Sequence, residues 1–199
     1  LNSGKTYEES MEMANIAAST VIKKIGTATV DKKEIEEIYE NRNKILNKKF
    51  YRSNSEILKK IKMIRSKNMK IVMTNGCFDI VHAGHIHLLE NAKKFGDFMI
   101  VAINSDKSVK ALKGKKRPIN KLSARIEVLQ ALSCVDLVVV FNDLTPLKTI
   151  KMISPDVLVK GGDYKVKDIV GADFVKARKG KVKIIKTKKG YSTTRILQR

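Results

Sequence analysis

The sequence predicts an α/β fold built on a doubly wound, five-stranded parallel sheet, with a helical extension at the N-terminus. Two observations lead to this prediction. From Met69 onward, short apolar runs alternate with amphipathic stretches of helical period, which is the pattern of parallel strands joined by crossover helices. Runs such as Met99–Ile103 and Leu137–Phe141 are apolar throughout, as strands buried on both faces should be.

The strands and helices of this sheet can be placed along the chain. The expected strands are Lys70–Asn75, Phe98–Asn104, Leu137–Phe141, Val157–Lys160 and Val182–Lys186. The expected helices between them are Gly84–Phe95, Ser123–Cys134, Pro146–Ile153 and Asp168–Lys179. Each helix pattern has one apolar face, and we therefore expect helices on both sides of the sheet.

The first 68 residues have a different character. Apolar residues recur at helical spacing from Tyr7 to Ile25, and Gly26 ends that helix. The stretch from Asp31 to Lys67 is charged, shows short helical patterns and contains neither Gly nor Pro, which indicates a helical rather than a flexible connector. We therefore expect an N-terminal segment at residues 1–46, a helical linker at 47–68 and the α/β domain at 69–199.

The net charge of +21 raises the question of a polyanionic partner such as nucleic acid. Most of the excess is Lys, and it is spread along the whole chain. Nucleic-acid-binding surfaces concentrate Arg on one face. We therefore interpret the charge as a lysine-rich surface and do not expect nucleic acid as a partner.

The cysteines and the hydropathy bear on the compartment. Cys77 and Cys134 are the only cysteines, and neither stands at metal-ligand spacing, which indicates a reducing compartment rather than a disulfide scaffold. No stretch contains eighteen consecutive apolar residues, so we expect no membrane partner. These observations predict a cytoplasmic location.

The segment after the first predicted strand is the candidate for chemistry. It reads T-N-G-C-F-D-I-V-H-A-G-H from Thr74 to His85, and its H-x-G-H ending lies where a helix should begin. A helix start offers free N–H groups and the positive end of the helix dipole, which favour phosphate. His82 and His85 project to the same side of one turn, and Gly84 between them lets a phosphate approach the backbone. Two imidazole donors there could stabilise charge on a triphosphate undergoing attack.

Simpler interpretations of these histidines exist. Histidines near a helix start are often surface residues or caps, and we interpret His87, outside the motif, as an ordinary exposed histidine. A zinc site made by His82, His85 and His87 would need a carboxylate or thiolate at the usual spacing, and the sequence has none there. We therefore predict no protein metal site.

Features after the other strands should meet at the same edge, because ligands bind beyond the carboxyl ends of parallel strands. A basic loop from Lys110 to Arg117 follows the second strand and either clamps phosphates or is a solvated charge run. The run K-G-G-D at 160–163 permits close ligand approach or a tight turn. Ser192 to Thr194 follow the last strand and can cap a helix or bind phosphate.

Together these residues resemble the cytidylyltransferase-like nucleotidyltransferases, whose fold is Rossmann-like. The matching marks are G-x-F-D-x-x-H-x-G-H from Gly76 to His85, a basic residue after the second strand, Arg125, and S-T-T at 192–194. Within that superfamily the runs N-S-D, K-G-x-x-R-P and V-K-G-G-D-Y look like the adenylyltransferase half of the bifunctional heptose kinase and adenylyltransferase. The likeness spans about Lys70 to the C-terminus.

A second likeness lies upstream. Residues 14–18 and 24–30 resemble the last helix and exit segment of a ribokinase-type sugar kinase, which precedes the adenylyltransferase in the bifunctional enzymes. The resemblance implies that residues 1–46 are the C-terminal remnant of such a kinase domain, and we expect no kinase activity. A helix without its parent domain exposes an apolar face, which could make a homo-oligomer contact.

The resemblance implies roles for individual residues. His82 and His85 should bind ATP phosphates and stabilise the transition state together with Lys113, although Lys110, Lys115 and Lys116 are neighbouring candidates. The other expected nucleotide-binding residues are Gly76, Cys77, Phe78, Gly84, Arg125, Ser192, Thr193 and Thr194. The expected acceptor-binding residues are Asp79, Gly162 and Asp163. Mg²⁺ should accompany ATP, with its coordination coming largely from substrate phosphates.

The expected reaction is ATP plus heptose 1-phosphate giving ADP-heptose and pyrophosphate, so the expected partners are ATP and a sugar 1-phosphate. Two other functions stay open. A glycerol-3-phosphate cytidylyltransferase or FAD synthetase-like enzyme would share the motif, but cytidylyltransferases of that kind have Trp where this chain has Ala83 and Arg where it has lysines at 186–189. A basic nucleic-acid-binding module on a decayed fold would show salt-dependent binding without ATP binding.

Overall fold

The structure is a computed structural model that describes residues 7–23, 31–39, 50 and 53–186. The chain divides into two compact units, Leu1–Lys48 and Lys49–Arg199. The first unit contains α1 (Tyr7–Lys23) and a second helix, α2, at residues 32–39. On α1, Ile16 is buried whereas Met11 and Val21 are exposed.

The second unit is built on a sheet of five parallel strands in the order β3-β2-β1-β4-β5, which confirms the predicted fold class. The strands are β1 (Ile71–Gly76), β2 (Phe98–Asn104), β3 (Leu137–Phe141), β4 (Val157–Gly161) and β5 (Lys181–Ile185). The predicted strands agree with these bounds to within about one residue. The pattern succeeds here because strands covered on both faces read as continuous apolar runs.

Helices cover both faces of this sheet. They are α3 (Asn54–Ser66), α4 (Ala83–Lys93), α5 (Asp106–Lys113), α6 (Leu122–Ala131), α7 (Leu147–Ile153) and α8 (Ala172–Ala177), with a short 3₁₀ turn at Val166–Asp168. Side chains alternate along β1: Ile71 and Met73 pack with α3, α7 and α8 on one face, and Val72 packs with α4 and α6 on the other. The core is therefore two apolar layers separated by the sheet.

Helix α3 differs from the helical linker predicted at residues 47–68. A capping box between Ser53 and Glu56 starts it, and Ile57, Ile61 and Ile64 are buried in the same core layer as β1. Because their spacing of four and three residues puts all three on one face, the helix packs on the sheet. The structure thus groups residues from Lys49 onward with the α/β unit, upstream of the boundary predicted at residue 69.

The predicted basic loop from Lys110 to Arg117 is wrong in its first half. Lys110 and Lys113 belong to α5, whose start is capped by the Ser105 hydroxyl accepting from the N–H of Ser108. Gly114, with φ of 95°, ends the helix. The apolar pattern did not predict this helix, because α5 has only eight residues and buries only Ser108 and Val109.

Within the described ranges, no helix combines the length and apolar character needed to cross a membrane.

Candidate active site

The candidate site lies at the carboxyl edge of the sheet, around the central strand. Asn75 and Gly76 end β1, Asn104 ends β2, and Lys160 and Gly161 end β4. Strands β2 and β4 flank β1 on opposite sides, and such a reversal of strand order opens a crevice at the strand ends. Two cavities, of about 330 and 190 Å³, occupy this crevice and share His85 in their walls.

The paired histidines lie at the start of α4, as their spacing predicts. His82 is the N-cap residue in an extended conformation, and its carbonyl accepts the His85 N–H at 2.8 Å. The two imidazole rings stack with centroids 3.9 Å apart, and the Phe78 ring lies 5.0 Å from that of His85. Gly84 is buried in the first turn and lines the smaller cavity. Both rings therefore occupy the end of the helix where the dipole favours anions.

Burial favours the neutral form of both imidazoles. Burial lowers the pKa of His85 to about 4, with a further contribution from the neighbouring His82. Burial also lowers the pKa of His82. A neutral imidazole keeps one N–H donor, and the buried Nδ1 of His85 has no hydrogen-bond partner among the described residues. His85 thus retains hydrogen-bonding capacity for a ligand without carrying charge.

Positive charge reaches the larger cavity from two directions. Lys113 and Arg117 enter from the end of α5 and the loop after it, and Lys160 enters from the end of β4. Of the lysines at 110, 113, 115 and 116, Lys113 is the one that lines this cavity. These groups would surround a polyphosphate with cations and neutral donors.

Asp79, predicted to bind the acceptor, lines the larger cavity, and its carboxylate is bonded to the protein; its role toward the acceptor stays a prediction. Asp79 is 2% exposed. Oδ1 accepts the N–H groups of Ile119 and Asn120 at 2.8 and 2.9 Å, and Oδ2 accepts from Nε of Arg117. Burial alone would raise the pKa of this carboxyl, but those backbone N–H groups and Arg117 outweigh it and hold the pKa below its ordinary value. Asp79 therefore anchors the loop that presents Arg117 to the cavity.

Arg125, predicted to hold phosphate, is buried and hydrogen-bonded within the protein. It is 1% exposed and lines neither of the two cavities. Its guanidinium donates to the Cys77 carbonyl at 2.7 Å, to Asp106 at 2.8 Å and to the Asn120 carbonyl at 3.1 Å. These bonds tie the turn after β1 to the start of α5, so Arg125 positions the residues that face the cavity.

The turn after β1 contributes the next predicted residues. Cys77 lines the larger cavity, and burial raises the pKa of its thiol although nearby cations oppose that effect. Phe78 is 3% exposed and adopts a positive φ of 46°. Its ring packs on His85, so it supports the imidazole more than it offers an open face. An added Cβ on Gly76 would lie 3.1 Å from that ring, so a side chain there would require the ring to shift.

The segment after β4 differs in detail from the prediction. Lys160, Gly161 and Tyr164 line the crevice, whereas Gly162 and Asp163 are absent from the described linings. Gly162 has φ of 127°, and an added Cβ would lie 2.9 Å from the Tyr164 ring, so this glycine makes room for the tyrosine. Ser192, Thr193 and Thr194 lie outside the described residues, and their nucleotide-binding role stays a prediction.

The sequence motifs include Asn75, Lys160, Tyr164 and Arg117, but they predicted no individual role for any of them. The available signal for the first three was position, because each ends or closely follows a strand at the ligand-binding edge. Among the described residues, no cluster of three or more His, Cys, Asp or Glu side chains is placed to hold a metal ion.

Comparison with known proteins gives one family and several close relatives. The profile described as cytidylyltransferase-like matches residues 73–199. Bifunctional protein HldE of Hydrogenovibrio crunogenus is 47% identical over 99% of this chain and 41% of its own length. Bifunctional protein HldE of Haemophilus ducreyi is 48% identical over 98% of this chain and 41% of its own length. The chain thus spans about two fifths of the relatives that it matches.

A solved structure shares the fold. Pantoate-beta-alanine ligase from Francisella tularensis, complexed with beta-gamma ATP and beta-alanine, superposes with a TM-score of 0.51 at 17% identity. The match covers 76% of this chain and 73% of that protein.

Proposed function

Because this chain belongs to the cytidylyltransferase-like family, we propose that it is an adenylyltransferase that transfers AMP from ATP to D-glycero-β-D-manno-heptose 1-phosphate. The products are ADP-heptose, a precursor of the lipopolysaccharide inner core, and pyrophosphate. The choice of acceptor is supported by the motif set around β1, β2 and β4 and by the identity of 47% to an HldE protein across nearly the whole chain. We place the reaction in the cytoplasm, where ATP is available.

The observation that carries this proposal is the stacked, neutral His82–His85 pair beside a cavity reached by three cations. Such a crevice binds polyphosphate and presents donors where charge develops in the transition state. Cys77, the nearest nucleophile, has a pKa raised by burial and remains a thiol. The site therefore suits direct transfer between substrates, which depends on positioning and electrostatics.

The chemical step follows from this arrangement. An oxygen of the sugar phosphate attacks the α-phosphorus of ATP in line, the bond from that phosphorus to the bridging oxygen breaks, and its electron pair leaves with pyrophosphate. His82 and His85 donate hydrogen bonds to the triphosphate as the α-phosphorus becomes five-coordinate. Lys113 and Arg117 hold the departing pyrophosphate, and Asp79 keeps Arg117 in place.

We expect ATP to enter as its Mg²⁺ complex, in which the metal neutralises part of the triphosphate charge. The nearby carboxylates are already engaged, since Asp79 pairs with Arg117 and Asp106 with Arg125. Triphosphate oxygens and water should therefore supply most of the coordination. We further propose that residues 1–46 derive from a sugar-kinase domain and contribute no kinase activity.

The test is pyrophosphate release with Mg²⁺, using ATP or CTP against heptose 1-phosphate or glycerol 3-phosphate. Release with ATP and heptose 1-phosphate alone supports the proposal. Release with CTP and glycerol 3-phosphate would replace the substrates and keep the site. Absence of release and of ATP binding, together with salt-dependent DNA binding, would favour the nucleic-acid-binding alternative.

A further inference from the structure

Lys160 belongs to the V-K-G-G-D-Y run and lines the larger cavity, but no step of the mechanism above gives it a role. It ends β4, is half-buried, and its Nζ donates to the backbone carbonyl and to Oδ1 of Asn75, both at 3.2 Å. None of the ion pairs that the structure describes includes Lys160. Among the described residues, two long hydrogen bonds to neutral oxygens alone compensate its charge, which is costly for a group withdrawn from water.

Lys160 also lies where three cavities meet. Together with Asn75 and Tyr164, it lines the two cavities of the site and also a third one of about 250 Å³ next to them. The smaller of the first two cavities is lined by His82 and Gly84. The third is lined by Leu144 and Thr145 of the loop before α7. Lys160 thus stands at the junction of spaces that open toward different parts of the crevice.

A junction of this kind has a specific electrostatic requirement in the proposed reaction. The attacking group is a phosphate and the group attacked is also a phosphate, so two anions must come within about 3–3.5 Å of each other. Their repulsion adds to the barrier, and it is strongest where water is excluded. A cation fixed between them reduces that repulsion without first having to reorganise.

We propose that Lys160 contacts both reacting phosphates, holding the acceptor phosphate against the α-phosphate of ATP during attack. This inference rests on the proposed function, because it requires an acceptor that carries a phosphate. The ammonium keeps its proton throughout: the acceptor oxygen forms the new bond to phosphorus, and pyrophosphate takes the electron pair of the broken bond. Lys160 exchanges its bonds to Asn75 for bonds to phosphate oxygens.

The electrostatics around Lys160 agree with such an exchange. Burial lowers the pKa of Lys160, with the Cys77 thiol acting weakly in the other direction. An incoming dianion would supply the partner that the ammonium lacks, and charge-assisted hydrogen bonds to phosphate are shorter and stronger than those to a neutral amide.

The test compares Lys160→Met, which keeps the length and removes the charge, with Lys160→Arg, which keeps the charge. Lys176→Met, on the exposed surface of α8, is the matched control for loss of one positive charge. We expect Lys160→Met to lower kcat about 100-fold with the KM for ATP changed less than about threefold. Lys160→Arg should recover at least about tenfold of that loss, and Lys176→Met should match the parent protein. Thermal unfolding of each variant separates this effect from misfolding.

A second measurement does not depend on the identity of the acceptor. With α,β-methylene-ATP bound, the affinity for inorganic phosphate is measured by calorimetry for the parent protein and for each variant. We expect Lys160→Met to weaken phosphate binding about tenfold or more while leaving the affinity for the ATP analogue within about threefold. Lys160→Arg should retain most of the phosphate affinity.

The outcomes separate the two proposals. Unchanged kcat and unchanged phosphate affinity in Lys160→Met would overturn the role of Lys160, whatever the acceptor is. Weakened binding of the ATP analogue with unchanged phosphate affinity would assign Lys160 to the nucleotide alone and would also overturn the inference. Loss of phosphate affinity in Lys160→Met, without turnover of heptose 1-phosphate by the parent protein, would support Lys160 and reject the proposed substrate.

Discussion

Both ends of the sheet open into basic crevices, of about 470 Å³ at the amino ends of the strands and about 330 Å³ at the carboxyl ends. The first is the larger and carries more cations, among them Arg65, Lys70, Arg178, Lys179 and Lys181. Size and charge alone would therefore favour the amino end over the carboxyl end, where we propose the active site.

The charges at the amino end serve the fold. Helices α3, α7 and α8 all finish there, and cations near helix C-termini offset the negative end of the helix dipole. Asp156 accepts the N–H of Ile71 at 2.7 Å and pairs with Arg65 at 3.3 Å. At the amino end, charged side chains thus pair with one another, with the start of β1 and with the C-terminal ends of helices.

At the carboxyl end, by contrast, hydrogen-bonding groups are left available. Helix α4 begins there; within the part of the chain that the structure describes, Nδ1 of His85 has no partner and Lys160 donates to neutral oxygens only. In the proposed assignment, unsatisfied donors and the direction of helix dipoles mark the site, and net charge does not. Substitutions at the carboxyl end should therefore change turnover, with or without a change in stability, whereas those at the amino end should change stability alone.

The largest expected effect is that of His82→Ala, which should lower kcat/KM about 10²- to 10³-fold because a donor to the transition state is lost. The midpoint of thermal unfolding should change by less than about 3 °C. Pyrophosphate-release kinetics and a melting curve measure both. His87→Ala is the control, since His87 is exposed on the same helix. Parent-like turnover in His82→Ala would remove the histidine pair from the mechanism.

Asp79→Asn tests a structural residue at the catalytic end. Breaking its buried pair with Arg117 should cost about 3 kcal/mol of the free energy of unfolding and raise the KM for ATP about tenfold. The folded pKa of Asp79 lies below its unfolded value of 3.8, so its contribution is complete above pH 3.8 and lost as pH falls through the folded pKa. Urea unfolding at pH 7 and pH 3 should show a difference between parent and variant that shrinks in acid. Asp173→Asn, exposed on α8, should show no such effect.

Asp156→Ala tests the amino end. We expect about 2 kcal/mol of lost stability, mainly from the charge-assisted bond to the Ile71 N–H, because the pair with Arg65 is partly exposed and worth little. The kcat should stay within about twofold of the parent value. Glu90→Ala, on the exposed side of α4, serves as the control in the same urea titration. A loss of turnover without a loss of stability would contradict the division between the two ends.

The smallest expected effect is a pH dependence of stability through His85. Its folded pKa of about 4 lies below its ordinary value of 6.5, so on acidification the unfolded chain takes up a proton first and stability falls below pH 6.5. We expect this histidine to account for about 1 kcal/mol between pH 7 and pH 5, less than full linkage because the ring is only half-buried. His85→Asn should flatten that dependence in urea titrations. An NMR titration showing His85 half-protonated near pH 6.5 would contradict the assignment.

Periodicity and motif spacing predicted the sheet, its strand bounds and the histidine pair, since each of these depends on local sequence. Three features escaped because they depend on long-range contacts. Helix α3 was predicted as part of a linker, because its sequence does not reveal that its isoleucines pack against the sheet. The ion pairs of Asp79 with Arg117 and of Arg125 with Asp106 also escaped, because the partners lie 38 and 19 residues away in the sequence. Residue type alone does not reveal such an internal ion pair.

The hydrogen bonds between Lys160 and Asn75 join positions 85 residues apart in the sequence. Closing a segment of that length is slow relative to local helix formation, because the chain loses entropy before the contact forms. The proposed active site at the carboxyl edge therefore forms only when β1 and β4 have paired. The flanking helices can form before that pairing. Recovery of ATP binding during refolding should accordingly lag behind the return of helical circular dichroism, and it would report on completion of the native topology.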